Sequence, residues 1–357
     1  MSANRRARWR RMAVVAGLLF VQAAFGIVLH PAEGEPEAEN WTDRPADEVI
    51  GRWASNATCV AISPNCVITT RHQGGVVGTV VHIAGGSYRV EAVWNHPVRP
   101  NPDDAAYQEV DLRVARLAGA NLRHYVELYT DRTEVSLGRC AVIGGYGLGR
   151  GVELRKFGMT YGYAWEEGAV TQNLQLRWCT NSIDAISLNV RSTNPLNGTL
   201  SNHDFLIADF DDPLATFAEG VVAGHDSGGG WFVRVDDQWR LAGLTWGTDN
   251  AESKEACFRS SDTPWISRPD RMYALRISSY AGWIAGVLAE VCTPPEGDIN
   301  GDCRVDLHDM ARLAAQWLRG DCSAANGYCQ GADVDGSGAV DAGDLNRLQG
   351  GYARALD

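Results

Sequence analysis

Gly224-His225-Asp226-Ser227-Gly228-Gly229-Gly230 sets one serine on a turn crowded with glycines. Glycine tolerates positive φ and lets backbone N–H groups converge on one point, which is what an oxyanion site requires. Successive glycines weaken a strand unless the backbone needs them, so Ser227 reads as a presented hydroxyl rather than an ordinary turn residue. Such a hydroxyl is a poor nucleophile near neutral pH and needs a base, an orienter for that base, and donors for the developing charge. Upstream segments supply the first two in order. Ile68-Thr69-Thr70-Arg71-His72 ends a β-type run with an imidazole, and Asp111-Leu112-Arg113-Val114-Ala115-Arg116-Leu117 opens another with a carboxylate at its mouth. Asp103 and Asp104 are competing carboxylates a little upstream.

Around these segments the chain is a series of short β-prone runs. They are expected over Thr58–Ile62, Cys66–Thr70, Val76–Ile83, Tyr88–Trp94, Leu112–Leu117, Cys140–Gly144, Phe205–Phe210, Gly230–Val235 and Leu241–Trp246. Runs at this spacing, punctuated by Gly, Pro, Asn and Asp, favour an all-β sandwich or barrel. One helix is expected over Ser278–Val291, and Thr293-Pro294-Pro295-Glu296-Gly297 is a stiff linker to a helix-and-loop region.

In the order His72, Asp111, Ser227, these segments resemble the trypsin-like (chymotrypsin-fold) serine proteases. Cys140-Ala141-Val142-Ile143-Gly144-Gly145-Tyr146-Gly147 is similar to that family's mid-chain strand. Leu244-Thr245-Trp246-Gly247 is similar to its substrate-binding strand, and Tyr273 through Ile284 to its closing strand and helix. The resemblance covers about Val49 to Cys292 and implies an all-β double barrel, two six-stranded barrels with a cleft between them. It implies His72 as general base, Asp111 as its orienter and Ser227 as nucleophile. The N–H groups of His225 and Ser227 would form the oxyanion hole, which Asp226 shapes. Val221, Thr245, Trp246 and Gly247 would line the substrate pocket. Several residues depart from the family pattern. His225 stands where the family has Gly, and Gln73 replaces the Cys after the base. Val221 replaces the Asp that selects Arg or Lys, so an apolar or small side chain is the expected preference. Activity is expected without cleavage at Ile50.

Beyond the linker one spacing occurs twice. Asp298, Asn300, Asp302, Asp306 and Asp309 stand at positions one, three, five, nine and twelve of a loop, with Arg304 at seven. Asp333, Asp335, Ser337, Asp341 and Asp344 repeat the set, with Ala339 at seven. Calcium takes six to eight oxygen ligands, and this spacing wraps a loop around one ion, with Arg304 and Ala339 offering backbone carbonyls. An apolar helix pattern follows each loop. The duplicated unit, with Asp at position twelve, resembles the dockerin module of cellulosome-type systems over about Asp298 to Tyr352. That implies two calcium ions and a cohesin-type receptor as partner. Cys303 stands where the first loop is expected to have Gly. A calcium-stabilised stalk without a receptor is the competing reading.

The chain has 357 residues, 45% of them hydrophobic, and a formal net charge of −12. That suits one large domain with a small appendage, and argues against nucleic acid as a partner. Arg5, Arg6, Arg8, Arg10 and Arg11 precede an apolar run from Met12 to about Ala24, the pattern of a secretory signal cut after Gly26; a retained anchor is the alternative. The expected organisation is a signal peptide over 1–26, a flexible lead-in over 27–45, a protease-like domain over 46–292, the linker over 293–297 and a dockerin-like domain over 298–357. Nine cysteines fit an oxidising compartment. Cys59 and Cys66 flank a turn and are a candidate bridge, and a pair among Cys303, Cys322 and Cys329 could staple the small domain. The expected protein is a secreted or cell-surface serine endopeptidase, acting on proteins or peptides through an acyl-enzyme, with calcium but no catalytic cofactor and no membrane contact after signal removal. The alternatives are an inactive protease-fold binding protein and a docking component.

Overall fold

The computed structural model describes residues 27–30, 41–55, 57–97, 109–135, 140–166, 175–193, 200–211, 216, 218–291, 295–300 and 305–354. The expected signal peptide, Asp103, Asp104, Asp302, Cys303 and Arg304 lie outside them.

Strand β1 (Val28–Leu29) comes first. Strands β2 (Ile50–Trp53), β3 (Ala57–Ala61), β4 (Cys66–Thr69), β5 (Val80–Ile83), β6 (Gly86–Asn95) and β7 (Arg113–Leu117) close a barrel in the order β2-β3-β4-β7-β6-β5. Then follow β8 (Glu127–Leu128), β9 (Cys140–Gly145), β10 (Arg150–Lys156), β11 (Met159–Trp165), β12 (Arg177–Ser182), β13 (Ala185–Thr193) and β14 (Leu200–Asp209). The last are β15 (Gly220–Val221), β16 (Gly230–Val235), β17 (Gln238–Thr248), β18 (Glu255–Cys257) and β19 (Arg271–Arg276). An eight-stranded sheet runs β12-β9-β16-β17-β19-β14-β13, with β8 pairing parallel to β17. The expected second six-stranded barrel is thus an open sheet among the described residues. The Asn181 amide spans part of the gap, donating from β12 to the carbonyls of Asp209 (2.7 Å) and Gly220 (3.0 Å). Strands β10, β11 and β18 form a separate small sheet.

Alternation along each strand separates three cores, because successive side chains face opposite sides of a sheet. Trp53, Cys59, Val67, Val81 and Leu117 share one cluster within the barrel strands. Ile143, Trp231, Ala242 and Met272 belong to a second, on the sheet. A third joins barrel residues Val60, Ile68 and Val114 to sheet residues Val142, Phe232 and Leu244, and to Ile284 and Val287 of the helix Ile277–Val291. This seam fixes the barrel against the sheet.

Two expectations fail here. Cys59 and Cys66 are both free. The register pairs Val60 with Ile68 and Ala61 with Val67, so Cys59 packs with Trp53 and Val67 while Cys66 packs on the other face with Ile68. The lead-in is not loose at its start either. Ile27 and Val28 are fully buried, and β1 pairs with β15 as Val28↔Val221 and Leu29↔Gly220. An Ile-Val-Leu run gains more from burial than it loses on ordering.

Candidate functional site

His72 and Asp111 come from the barrel, Ser227 from the turn leading into β16. His72 lies in a short 3-10 turn, Arg71–Gln73, just after β4. The hydrogen bond pairing β4 with β7 continues past the strand ends, Arg71 N–H donating to the Asp111 carbonyl at 3.3 Å. This brings the imidazole over the carboxylate. The His72 backbone N–H donates to Asp111 Oδ1 at 2.7 Å, and Nδ1 bonds Oδ2. On the far side of the ring, Nε2 stands 3.0 Å from Ser227 Oγ. The structure therefore brings together the three side chains expected to meet.

Asp111 is almost fully buried. Burial opposes its ionisation, but the hydrogen bonds from His72 and the charges of His72 and His203 win and hold the carboxyl below the usual carboxylate range. A carboxylate so held keeps the proton on Nδ1 and leaves Nε2 as an acceptor facing the hydroxyl.

The serine turn is fastened on several sides. Thr58 N–H donates to the Ser227 carbonyl (3.0 Å), Gly228 N–H to Thr245 O (2.9 Å) and Gly229 N–H to Asp226 O (2.8 Å). Gly228 has φ +85° and Gly229 packs against the Gly144 carbonyl, which explains why side chains are missing there. His225 adopts φ +76°, the left-handed conformation that Gly would take at lower cost, and its carbonyl accepts from Thr58 Oγ1 at 3.3 Å. Asp226 is buried, accepting from Gly147 N–H (2.6 Å) and Ala223 N–H (2.9 Å). Burial pushes its carboxyl up to about 7, against those two bonds and the charge of Arg177.

Of the four expected pocket residues, Trp246 reaches the serine. Trp246 is half-buried and its carbonyl lies 3.4 Å from Ser227 Oγ, while Gly247 has open space where a side chain would be. Val221 points into the sheet core and is fully buried, and the Thr245 hydroxyl turns away to accept from Trp231 Nε1 at 3.0 Å. Two residues with no assigned role are also present. Gln73 Nε2 lies 2.8 Å from His72 Nε2. His203 is fully buried on β14, its ring 5.1 Å from Phe205 and 5.8 Å from Trp246. His203 has no local motif, because it acts across elements distant in sequence, whereas Gln73 stands next to His72 in the same turn.

In the C-terminal region the two position-twelve carboxylates make matching bonds. Asp309 accepts from the N–H groups of Ile299, Asn300 and Asp306, and Asp344 from those of Val334, Asp335 and Asp341. Each also opens a helix, Leu307–Ala315 or Ala342–Arg354. In the second loop carboxylate oxygens of Asp333, Asp335 and Asp344 lie within 4.8 Å of one another, a hard-oxygen set able to hold a calcium-like cation. Gly336 and Gly338 there have φ +69° and +92°, so the backbone turns where glycine allows it. Asp298, Asn300 and Asp306 stand in the described part of the first loop, and Ser337, Ala339 and Asp341 in the second. Cys322 and Cys329 form a disulfide inside this region. Gly297 packs against Leu348 and Gly351 against the Glu296 carbonyl, joining the module's two ends.

No curated protein matches the chain. A crystal structure of the Rv3671c protease, inactive form, is similar at a TM-score of 0.39 and 15% identity, over 68% of this chain and 89% of that one. At that level the likeness carries no argument. No described helix is long and apolar enough to cross a membrane. Residues 296–350 match the family described as the Dockerin type I domain, so the C-terminal part of this chain is a dockerin type I domain.

Proposed function

We propose that this protein is a secreted serine endopeptidase with a chymotrypsin-like triad, attached to a cohesin-type receptor through its calcium-folded dockerin domain. The observation that carries the reading is the hydrogen-bonded series from buried Asp111 through the His72 ring to Ser227 Oγ. Ser227 Oγ attacks the scissile carbonyl carbon while His72 Nε2 takes its proton. Asp111 keeps the imidazole in that tautomer and stabilises the imidazolium. The N–H groups of Ser227 and His225 face the developing oxyanion. On collapse, His72 returns the proton to the leaving amine, and water then releases the acyl group by the same steps reversed. A peptide would lie along β17 at Trp246 and Gly247. Asp298, Asn300, Asp302, Asp306 and Asp309, with the Arg304 carbonyl, would hold one calcium. Asp333, Asp335, Ser337, Asp341 and Asp344, with the Ala339 carbonyl, would hold the other.

A fluorophosphonate probe tests the catalytic half. Labelling of the calcium-loaded full chain should vanish in Ser227→Ala and fall about 10⁴-fold in Asp111→Asn. An unlabelled native protein would instead favour an inactive binding protein on this fold, the reading that the side chain of His225 at the oxyanion turn supports. Pull-down on a cohesin with and without chelator tests the other half, and chelator-insensitive capture would count against calcium-dependent docking.

A further inference from the structure

We infer that Gln73 is a positioning residue that occupies the acceptor nitrogen of His72 and so restrains Ser227 until a substrate displaces it. The inference rests on the proposed function above. Because Asp111 faces Nδ1, the ring proton lies there, and the single lone pair of Nε2 is left to accept. Two donors compete for it: the Gln73 amide at 2.8 Å and the Ser227 hydroxyl at 3.0 Å. One lone pair cannot align with both, so the amide weakens the hydroxyl's bond.

The surroundings confine this to the side chain. Immediately after Gln73 the backbone is fastened: the Gly74 carbonyl accepts from Trp53 Nε1 (3.1 Å) and Arg113 Nη1 (2.6 Å), and the Gly75 carbonyl from Arg113 Nη1 (2.7 Å). Gly75 is also pressed against the Trp53 ring. The Gln73 side chain is only partly buried, so it can rotate away while its main chain stays fixed. A peptide whose leaving nitrogen must sit over Nε2 would take the position the amide now holds.

The test compares Gln73→Met, which keeps the length and removes the N–H, with Gln73→Ala. In the full chain, both should be labelled by a small fluorophosphonate about three- to tenfold faster at the plateau pH, the worth of one competing hydrogen bond. With a long peptide ester that fills the cleft, kcat should stay at the parent value. The ¹⁵N resonance of His72 Nε2 in a Ser227→Ala background reads the same contact without turnover, and should shift when Gln73→Met is added. An unlabelled parent with that shift present would overturn the hydrolase reading alone. An unmoved resonance, or faster labelling in Gln73→Ala but not Gln73→Met, would overturn the role assigned to Gln73.

Discussion

The backbone N–H of Thr58 donates to the carbonyl of Ser227 at 3.0 Å, so the barrel grips the serine turn by its main chain. Thr69 Oγ1 donates to the Thr58 carbonyl at 2.7 Å and completes a three-residue contact between the two halves of the site. Gly228 fits into this contact only because it has no side chain.

Gly228→Ala would place a Cβ 2.1 Å from the Thr58 carbonyl at φ +85°. Left-handed strain and overpacking together should cost about 2–4 kcal/mol. Urea unfolding should show the loss, and covalent labelling at Ser227 should fall even where circular dichroism stays native. Unchanged stability would mean the turn is not clamped.

The pH dependence of stability should carry the signature of Asp226. An unfolded Asp ionises near about 3.9, whereas burial holds this one protonated to about 7. Between those values the unfolded chain releases a proton that the fold retains, so stability falls as pH rises through the window and levels off above it. The slope should reach at most about 1.4 kcal/mol per pH unit. Asp226→Asn should be less stable throughout, since its amide N–H₂ meets a backbone donor, but should lack that slope. A parent whose stability is flat from pH 4 to 7 would contradict the assignment.

Glu134 and Arg276 form a buried pair. Arg276 Nη2 donates to Glu134 Oε2 at 2.7 Å and Nε to Oε1 at 3.0 Å, while Ser278 Oγ donates to Oε1 at 2.6 Å. Burial opposes ionisation of Glu134, but these donors hold its carboxyl below the usual range. Glu134→Ala leaves a guanidinium buried without its counter-charge, with only the Arg132 carbonyl among the described residues to accept from it, and should cost about 3–5 kcal/mol, measured by chemical denaturation. Under 1 kcal/mol would show that water solvates the arginine freely.

Asp344→Ala removes an acceptor for three backbone N–H groups and one carboxylate of the Asp333–Asp335–Asp344 set. For the full chain, calcium at about a hundredfold excess over its dissociation constant should stabilise the parent by about 2.7 kcal/mol per site. Calorimetry should show part of that gain missing in Asp344→Ala. An equal gain in parent and variant would place the ion elsewhere.

Much of the barrel and the site was legible because it rests on signals within single segments: a histidine ending one apolar run, an aspartate opening another, glycines around a serine. All nine expected strands have a counterpart, though Val76–Ile83 shortens to Val80–Ile83 at Gly78, whose φ is +93°. The hairpin of β10 and β11 escaped notice. Its turn is Phe157-Gly158, both at positive φ, and phenylalanine is not a residue that marks such a turn. Polar residues on exposed faces likewise hid β13. The burial of Ile27 and Val28 was missed because their partner, β15, lies far along the chain. His203 was overlooked for the same reason, whereas Gln73 was marked only as a departure from the family pattern, since its contact with His72 shows only once both side chains are placed.

Glu296 and Gly351 touch where the dockerin begins and ends, so its entry and exit share one doorway. A module hung that way is a pendant rather than a spacer: it widens what it is attached to without lengthening it. Anything joined to either end departs from the same spot, leaving the rest of its surface clear for whatever grips it.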